Sequence, residues 1–330
     1  MEALVRRILA QYGFAYVELL PLGKGYRNYA FPARLPDGTT VNLMLYKREP
    51  GMEERIKRAN MVADFAYASG LAARHTRDER IMRLMSSRGK SYAALYDYLP
   101  GNTIPWEAYT QKHIKQLGKT LSDLHSVLYN YGESDLPNVV VEYRDIVEQM
   151  RQYFAGSGVN GAMQSKLRLT FALDTFMTLD TLLAACEYLP NQQALHMDFV
   201  RSNILFIETA DGPEISGILD FEKTAYGSPL FDIARTLAFL LVDCKYKEVS
   251  KVRKYFLYSG YKKRGTASFI NVSVKLCGRS QNVLQTLVTL FLIYDFYKFL
   301  RHNPYEYLSQ NEHFVRTRDM LLERKIIEST

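Results

Sequence analysis

Residues 195–206 read LHMDFVRSNILF, a short polar segment that runs directly into an apolar, β-branched one. Asp198 lies two residues after His196, and Asn203 lies five residues after Asp198. Two interpretations are open from these letters alone. The segment is either a catalytic loop that offers oxygen ligands to a phosphate and a metal, or a polar turn before an ordinary strand, since Asp and Asn are common in turns. We interpret His196 as a residue that orients the loop, not as a base.

The sequence after this segment provides a partner for Asn203. Two predicted strands, NILFIE and EISGILDFE, flank the turn sequence TADGP. If Asp211 and Gly212 form the two-residue loop of a hairpin, as an Asp-Gly pair favours, Asn203 pairs with Asp220 at the open end of the hairpin. An amide oxygen and a carboxylate are hard ligands for Mg²⁺, and Asp198 is then a nearby base that can position an attacking hydroxyl. Together the three residues favour Mg²⁺-dependent phosphoryl transfer, although each alone is as consistent with a structural role.

The chain divides into two parts of different pattern. Up to about residue 95, short apolar runs alternate with turn signals, and one helix is predicted at Glu53–Ala68. Beyond Trp106 long helices dominate, among them one predicted at Ala162–Leu189. We therefore predict an α+β protein with a small N-terminal lobe of antiparallel sheet and one helix, and a large, mostly helical C-terminal lobe. The predicted boundaries are 1–95 for the first lobe, 96–101 for the connection and 102–330 for the second lobe.

Composition and charge narrow the classes of function. The formal net charge of +7 suits an anionic ligand such as a nucleotide, but the Lys and Arg residues are spread along the chain, which argues against a nucleic-acid surface. The apolar window Val283–Leu300 contains an Asp and a Lys, so we expect a buried helix and no membrane segment. The N-terminal residues do not resemble a signal peptide, and we expect a cytoplasmic protein. The three Cys residues are widely separated, which argues against a zinc site or disulfides.

Five motifs in order carry a resemblance to a known family. In chain order they are ALYDYLPGNTI (94–104), LGKTLSDLHSVL (117–128), HMDFVRSN (196–203), the GILDFE segment (217–222) and GSPLFDIAR (227–235). In the same order, they resemble five features of the aminoglycoside phosphotransferase and choline kinase family, relatives of the protein kinases. These features are the inter-lobe hinge, the helix ending in Leu-His, the catalytic loop, the metal-binding segment, and the run of Gly-x-Pro and Asp-Ile-Ala. The resemblance covers most of residues 20 to 240, and it implies a protein-kinase-like bilobal fold.

The resemblance implies roles for particular residues. Asp198 would be the catalytic base, Asn203 and Asp220 would hold Mg²⁺, and ATP or GTP would be the co-substrate. Asp232 would be a structural residue that caps the following helix. The residues that would contact the nucleotide are the backbone of Tyr96, Asp97 and Tyr98 at the adenine, and Gly23, Gly25 and Asn28 in the phosphate-covering turn GKGYRN. Taken by itself, that turn fits a simple hairpin turn better than a phosphate-covering one.

The chain departs from the family at the position of a lysine. Members of the family place a strand Lys on the phosphates and pair it with a Glu on the following helix. Here Met44 aligns with the Lys, and the helix position falls at Ala59 or Asn60. Either Lys47 with Glu53 or Glu54 replaces the pair, or the phosphates are held in another way. Met197 also replaces the usual Gly before the catalytic Asp.

These observations predict a small-molecule kinase that moves the γ-phosphoryl group of ATP or GTP to a hydroxyl. The acceptor could be an amino alcohol, a sugar or an antibiotic-like compound. The basic segment at residues 242–265 argues against a polycationic aminoglycoside. The alternative is a non-catalytic nucleotide-binding or scaffold protein on the same fold. The hypothesis that the protein is a protein kinase is weaker, because no Ala-Pro-Glu segment follows the Asp-Phe-Glu segment.

Overall fold

A computed structural model gives the fold of this protein. It describes residues 1–14, 17–21, 23–24, 28–86, 89–105, 108–132, 135–244, 246–263 and 268–329. The chain forms two compact units. The first unit comprises Met1–Thr103, Ser202–Thr209 and Glu214–Thr224, and the second comprises Ile104–Arg201, Ala210–Pro213 and Ala225–Thr330. The hairpin segment with Asn203 and Asp220 thus lies mainly in the first unit. The predicted boundaries instead assign it to the second lobe, residues 102–330.

An antiparallel sheet forms the centre of the first unit. Its strands are β1 (Glu18–Leu19), β2 (Gly23–Lys24), β3 (Tyr29–Arg34), β4 (Thr40–Tyr46), β5 (Thr76–Ser86) and β6 (Gly89–Asp97). The strand order is β1-β3-β4-β6-β5, with β2 also paired to β3. At the turn between β3 and β4, the Asp37 carboxylate accepts the Thr39 backbone N–H at 2.9 Å, as expected where an Asp-Gly pair reverses the chain.

One helix covers each face of this sheet. Because strand side chains alternate between faces, Leu43 and Leu45 join the core beneath helix α1 (Glu2–Gln11), and Tyr46 joins the core beneath helix α2 (Met52–Ala68). Helix α2 begins one residue before its predicted start. Helix α1 was not predicted, so the described part of this unit has two helices where the sequence predicts one.

The predicted hairpin exists, but its register differs by one residue. Strands β9 (Ile204–Thr209) and β10 (Gly212–Ile218) pair with each other, so the turn residues are Ala210 and Asp211. The Leu219 N–H donates to the Asn203 carbonyl oxygen at 2.8 Å. The predicted pairing of Asn203 with Asp220 is therefore wrong by one position. Asp220 has φ 55, and a residue in this left-handed conformation cannot continue a β-ladder.

Helices dominate the second unit. They are α3 (Gln111–Leu128), α4 (Val139–Ala155), α5 (Ser157–Ala162), α6 (Thr175–Cys186), α7 (Leu230–Asp243), α8 (Val249–Arg253), α9 (Val283–His302), α10 (Tyr305–Leu308) and α11 (Glu312–Glu323). Three antiparallel strand pairs accompany them: β7 (Leu169–Phe171) with β14 (Ile327–Ser329), β8 (Gln193–Leu195) with β11 (Ala225–Gly227), and β12 (Ser273–Leu276) with β13 (Arg279–Asn282). The α+β class with a sheet-containing first unit and a mostly helical second unit is confirmed.

Helix α9 is the buried helix that the apolar window predicts. It is long and apolar enough to cross a membrane by length and composition, yet 72% of its most apolar window is buried inside the protein. The uninterrupted helix predicted at Ala162–Leu189 is wrong. Arg168 has φ 55 and ends a π-helical turn at Met163–Leu167, after which β7 pairs with β14 from the far end of the chain.

Candidate active site

The candidate catalytic loop follows strand β8 in the second unit. His196 is fully buried, and Asp198 is 8% exposed. Met197 between them has φ 58, in the left-handed region that favours glycine. The Asp198 N–H donates to Nδ1 of His196 at 3.1 Å. His196 therefore orients the loop through a side-chain to backbone hydrogen bond, in agreement with its interpretation from the sequence.

A buried carboxylate on helix α7 holds this loop. Asp232 accepts the backbone N–H of His196 at 2.7 Å and that of Met197 at 2.6 Å, one on each carboxylate oxygen. The predicted role of Asp232 as a helix cap is wrong. Helix α7 starts after Pro229, and the Leu230 N–H has Ser228 Oγ as its acceptor at 3.4 Å. The two bonds to Asp232 fix the backbone on the N-terminal side of Met197 and hold this residue in a conformation that favours glycine.

Asp232 has side-chain partners as well. Nε2 of His125, on helix α3, lies 3.2 Å from Asp232 Oδ2, and Nδ1 of His125 lies 2.6 Å from the hydroxyl of Tyr261. Burial by itself raises the pKa of Asp232, but the hydrogen bonds and charges of His125 and His196 outweigh it, so the pKa lies below its usual value. Asp232 is thus held ionised as the anchor of the loop.

Arg235, one helical turn after Asp232, binds the candidate base itself. Its Nη2 donates to Asp198 Oδ1 at 2.8 Å, and its Nη1 donates to the hydroxyl of Tyr143 at 3.2 Å. Burial lowers the pKa of Arg235, but Tyr143 and Asp198 raise it further than burial lowers it, so the guanidinium stays charged. Arg235 is not among the residues predicted from the sequence. Its signal is the spacing of three residues from Asp232, which places both side chains on one face of α7.

The two candidate metal ligands lie together in the first unit. Asn203 is 8% exposed and ends a 3₁₀ turn at Arg201–Asn203. The hydrogen bond between Leu219 N and Asn203 O places Asp220 one residue beyond the partner of Asn203. Asp is among the non-glycine residues most often found in the left-handed conformation that Asp220 adopts. Asp220 Oδ1 also accepts the Glu222 N–H at 3.3 Å.

The side-chain oxygens of Asn203 and Asp220 suit Mg²⁺ better than they suit a metal ion whose ligands all come from the protein. Among the described residues, no group of three His, Cys, Asp or Glu side chains could hold a metal ion. Asn203 and Asp220 offer one amide and one carboxylate oxygen. Mg²⁺ typically takes one or two such ligands and completes its shell with phosphate oxygens and water.

The glycine-rich turn is only partly described. Gly23 lies in strand β2 and pairs with Ala30 of β3, while Gly25 lies outside the described residues. Asn28 is buried, its Nδ2 donates to Glu222 Oε1 at 2.9 Å, and its Oδ1 accepts the Lys47 N–H at 3.2 Å. Asn28 therefore ties the end of β4 to the DFE segment, and its contact with a nucleotide stays a prediction.

The structure separates Lys47 from the position of the expected lysine. Lys47 follows the last residue of β4 and is exposed, whereas Met44 packs beneath helix α2. The carboxylates that could pair with Lys47 have other partners. Glu53 binds Arg83 through two hydrogen bonds of 2.7 and 2.9 Å, and Glu54 binds Lys57 at 2.9 Å. In the described part of the chain Glu53 and Glu54 thus have Arg83 and Lys57 as partners, and a role of Lys47 at the phosphates stays a prediction.

A chain of neutral groups lies where the lysine and glutamate are expected. The hydroxyls of Tyr46 and Tyr96 lie 2.6 Å apart, and the Tyr96 hydroxyl donates to Asn60 Oδ1 on helix α2 at 2.8 Å. In the predicted adenine-contacting segment, the Asp97 N–H donates to the His75 carbonyl and the Tyr98 N–H to the Thr40 carbonyl. Two of the backbone donors expected for a nucleobase are thus used within the unit.

Comparison with known proteins agrees with the geometry. Residues 18–244 match the sequence model of the phosphotransferase enzyme family. No curated protein matches the chain by sequence. The solved structure of a microcompartment-associated aminopropanol kinase is similar over 100% of both chains, at 13% identity and a TM-score of 0.68. An amicoumacin kinase in complex with AMP-PNP, Ca²⁺ and Ami is similar over 98% of this chain and 96% of its own, at 14% identity and a TM-score of 0.65.

A third similar structure is the GDP complex of aminoglycoside 2'-phosphotransferase-IIIa. It covers 98% of this chain and 97% of its own, at 13% identity and a TM-score of 0.59. At identities this low, the structural similarity shows a shared fold and no more. The family is shown by the sequence model, which matches well over half of the chain. The resemblance seen in the sequence motifs is confirmed, and the protein belongs to the phosphotransferase enzyme family.

Proposed function

We propose that this protein is a Mg²⁺-dependent kinase that transfers the γ-phosphoryl group of ATP or GTP to a hydroxyl group of a small molecule. The observation that carries the proposal is the fixation of Asp198. Its carboxylate is buried against the charged Arg235, and its loop is anchored by two backbone hydrogen bonds to Asp232. A carboxylate held in one place can accept the acceptor's proton and align its oxygen for attack.

In this proposal the remaining site residues handle the nucleotide. Asn203 and Asp220 would hold a Mg²⁺ ion, which would supply positive charge to the phosphates during transfer. Gly23, Gly25 and Asn28 would cover the phosphates, and Lys47 would add a positive charge to them. The segment of Tyr96, Asp97 and Tyr98 contacts the nucleobase mainly through carbonyl oxygens, because the N–H groups of Asp97 and Tyr98 already have partners.

The acceptor belongs to the class of amino alcohols, sugars or antibiotic-like compounds. Structures similar in fold are kinases named for aminopropanol, amicoumacin and aminoglycosides. The basic segment at residues 242–265 disfavours a strongly polycationic acceptor. We place the enzyme in the cytoplasm, where nucleotide triphosphates and such metabolites are both present.

A second candidate function is nucleotide binding without catalysis. The observation that favours it is Met44, since a side chain without charge occupies the position of the phosphate-binding lysine. The fixation of Asp198 by Arg235 favours catalysis instead, because a binding protein has no use for a positioned base.

Transfer of labelled phosphate tests the proposal. The protein is incubated with γ-labelled ATP or GTP, Mg²⁺ and a metabolite extract, and then with a panel of amino alcohols and sugars. We expect label in a small molecule with the wild type and with Asp211→Asn, a control in the exposed turn, but not with Asp198→Asn. Nucleotide binding without any Asp198-dependent transfer would instead support the second candidate.

A further inference from the structure

A buried arginine lies in the first unit on the short segment between helix α2 and strand β5. Arg74 is 4% exposed. Its backbone N–H donates to the Ile218 carbonyl oxygen at 2.9 Å, and Ala73 forms a parallel bridge with Ile218. The backbone of Arg74 is therefore attached directly to the strand that leads, two residues later, to the candidate metal ligand Asp220.

The guanidinium of Arg74 is incompletely bonded. Its Cζ lies 4.2 Å from the centre of the Tyr96 ring, in a cation–π contact. It also interacts electrostatically with Tyr46 and with the carboxylates of Glu222 and Asp220. Yet its Nε and Nη2 are buried and have no hydrogen-bond partner in the described part of the chain. Buried guanidinium donors are normally satisfied by protein, water or a ligand, so these two donors can still take an acceptor.

This charge lies beside the cluster that replaces the family's ion pair. Met44 and Tyr46 point to the same face of β4, where they pack with Tyr96 beneath helix α2. On that face Asn60, a neutral amide, stands where the family has its helix glutamate, and its Oδ1 accepts a hydrogen bond from the Tyr96 hydroxyl. Arg74 stacks on the same Tyr96 ring and brings a positive charge to a place where Met44 has none.

We propose that Arg74 takes over the task of the missing strand lysine and binds the phosphates of the nucleotide through its Nε and Nη2 donors. This assignment rests on the proposed function. Arginine suits the task because its planar fork can bind two phosphate oxygens at once. Before the nucleotide arrives, Asp220 and Glu222 hold the guanidinium by their charge. A Mg²⁺ ion held by Asp220 would offset the charge of that carboxylate, and the phosphates would then supply the counter-charge for Arg74.

The decisive measurement compares ligands with and without phosphates. Binding of Mg²⁺–ATP, Mg²⁺–GTP and adenosine is measured by calorimetry for the wild type, for Arg74→Met and for Arg34→Met, a control at an exposed arginine of the same sheet. Because two charge-assisted hydrogen bonds are lost, we expect Arg74→Met to weaken nucleotide triphosphate binding by roughly 10- to 100-fold. Adenosine binding should not change, whereas a purely structural role of Arg74 would weaken both ligands and lower the thermal midpoint.

A relocated lysine provides the complementary test. We expect the double variant Arg74→Met with Met44→Lys to recover most of the lost affinity for Mg²⁺–ATP, because it restores a cation at the family's usual position. Should Arg74→Met fail to fold, Arg74→Gln, which keeps side-chain donors but no charge, is measured in the same way.

The outcomes separate the two proposals. Wild-type binding of ATP or GTP with unchanged affinity in Arg74→Met overturns the role of Arg74 and leaves the kinase proposal intact. A wild type that binds neither nucleotide overturns both.

Discussion

Arg235 and Asp198 form a buried ion pair with 2.8 Å between Nη2 and Oδ1, although 37 positions separate them in the sequence. Their side chains are 6% and 11% exposed. In such a pair each charge is tolerated because the other is present, since an isolated ion at this depth loses its hydration without compensation. The candidate base and the helix that anchors its loop are therefore energetically coupled.

Removal of the cation tests this coupling. We expect Arg235→Met to lower the free energy of unfolding by about 3 to 5 kcal/mol, because it leaves Asp198 buried without its partner. The loss should be much smaller when Asp198→Asn is already present. Urea unfolding of the four proteins of this double-mutant cycle measures the coupling directly. Equal losses in both backgrounds would contradict it.

Kinetics give a second readout of the same pair. Loss of a neighbouring positive charge disfavours the ionised carboxylate, so the acid limb of the pH–rate profile should move to higher pH in Arg235→Met. A fall in rate with an unmoved acid limb would indicate displacement of the loop instead.

The metal ligands can be tested through the dependence of the rate on Mg²⁺. We expect Asp220→Asn and Asn203→Ala to raise the Mg²⁺ concentration needed for half-maximal phosphoryl transfer. Changes to outer partners of a bound metal alone weaken binding by roughly 10- to 100-fold, and loss of a direct ligand should do at least as much. Glu214→Gln, at an exposed carboxylate on the same hairpin, is the control. Rates that respond to Mg²⁺ as in the wild type would exclude both residues as ligands.

A histidine in the second unit predicts how stability depends on pH. His313 Nε2 lies 2.7 Å from Asp295 Oδ2, and its Nδ1 lies 3.4 Å from Asp243 Oδ1. Burial lowers the pKa of His313, but the hydrogen bonds and charges of Asp243 and Asp295 outweigh it and raise the pKa to about 9. Because the folded pKa exceeds the unfolded one, this stabilisation is complete below about pH 6.5 and is lost as the pH rises through about 9.

The loss should be on the order of 3 kcal/mol, the free-energy equivalent of the pKa difference. Urea unfolding at pH 6, 7.5 and 9.5 measures it in the wild type and in His313→Gln, which removes the titrating group. A wild type whose stability falls over this range no more than that of His313→Gln would contradict the prediction.

We expect the substitution Gly118→Ala to destabilise the protein, although Gly118 lies inside helix α3. Alanine in a helix interior is normally preferred over glycine by about 1 kcal/mol. A Cβ at Gly118, however, would lie 2.2 Å from the Phe256 carbonyl oxygen and 2.8 Å from the Tyr261 N. We expect Gly118→Ala to lower the free energy of unfolding by roughly 1 to 3 kcal/mol, as overpacking of a close contact does.

The matched control is Gly158→Ala in helix α5, where an added Cβ has no atom within 4 Å. This variant should be neutral or stabilising. Thermal or urea unfolding of both variants decides the matter, and a stable Gly118→Ala protein would show that α3 can move away from Phe256.

Local sequence patterns predicted the α+β class, with a sheet-containing first part and a mostly helical second part, and the residues of the hairpin. They did so because alternation, turn residues and motif spacing are short-range signals. The predicted register of the hairpin was wrong by one residue, because the position of the turn depends on which residue adopts a positive φ. In the structure that residue is Gly212. The break at Arg168 was missed because β7 is stabilised by β14, which is more than 150 residues away along the chain.

Tertiary partners explain what was missing from the predicted site. Arg235 and Arg74 read as ordinary charged residues in the sequence, and only the fold buries them against Asp198 and Tyr96. The reverse error occurred at Asp232. Its place at the start of a helix suggested a cap, but the fold brings two loop amides within its reach.

The hydrogen-bond chain from Tyr46 through Tyr96 to Asn60 has a consequence for helix α2. In an enzyme that ties this helix to the sheet with a lysine–glutamate pair, salt and pH can loosen the attachment. Here burial raises the pKa values of both tyrosines above their usual range, so the hydroxyls stay neutral throughout the physiological range. No ion pair takes part in this attachment of α2, so salt has no charge to screen there.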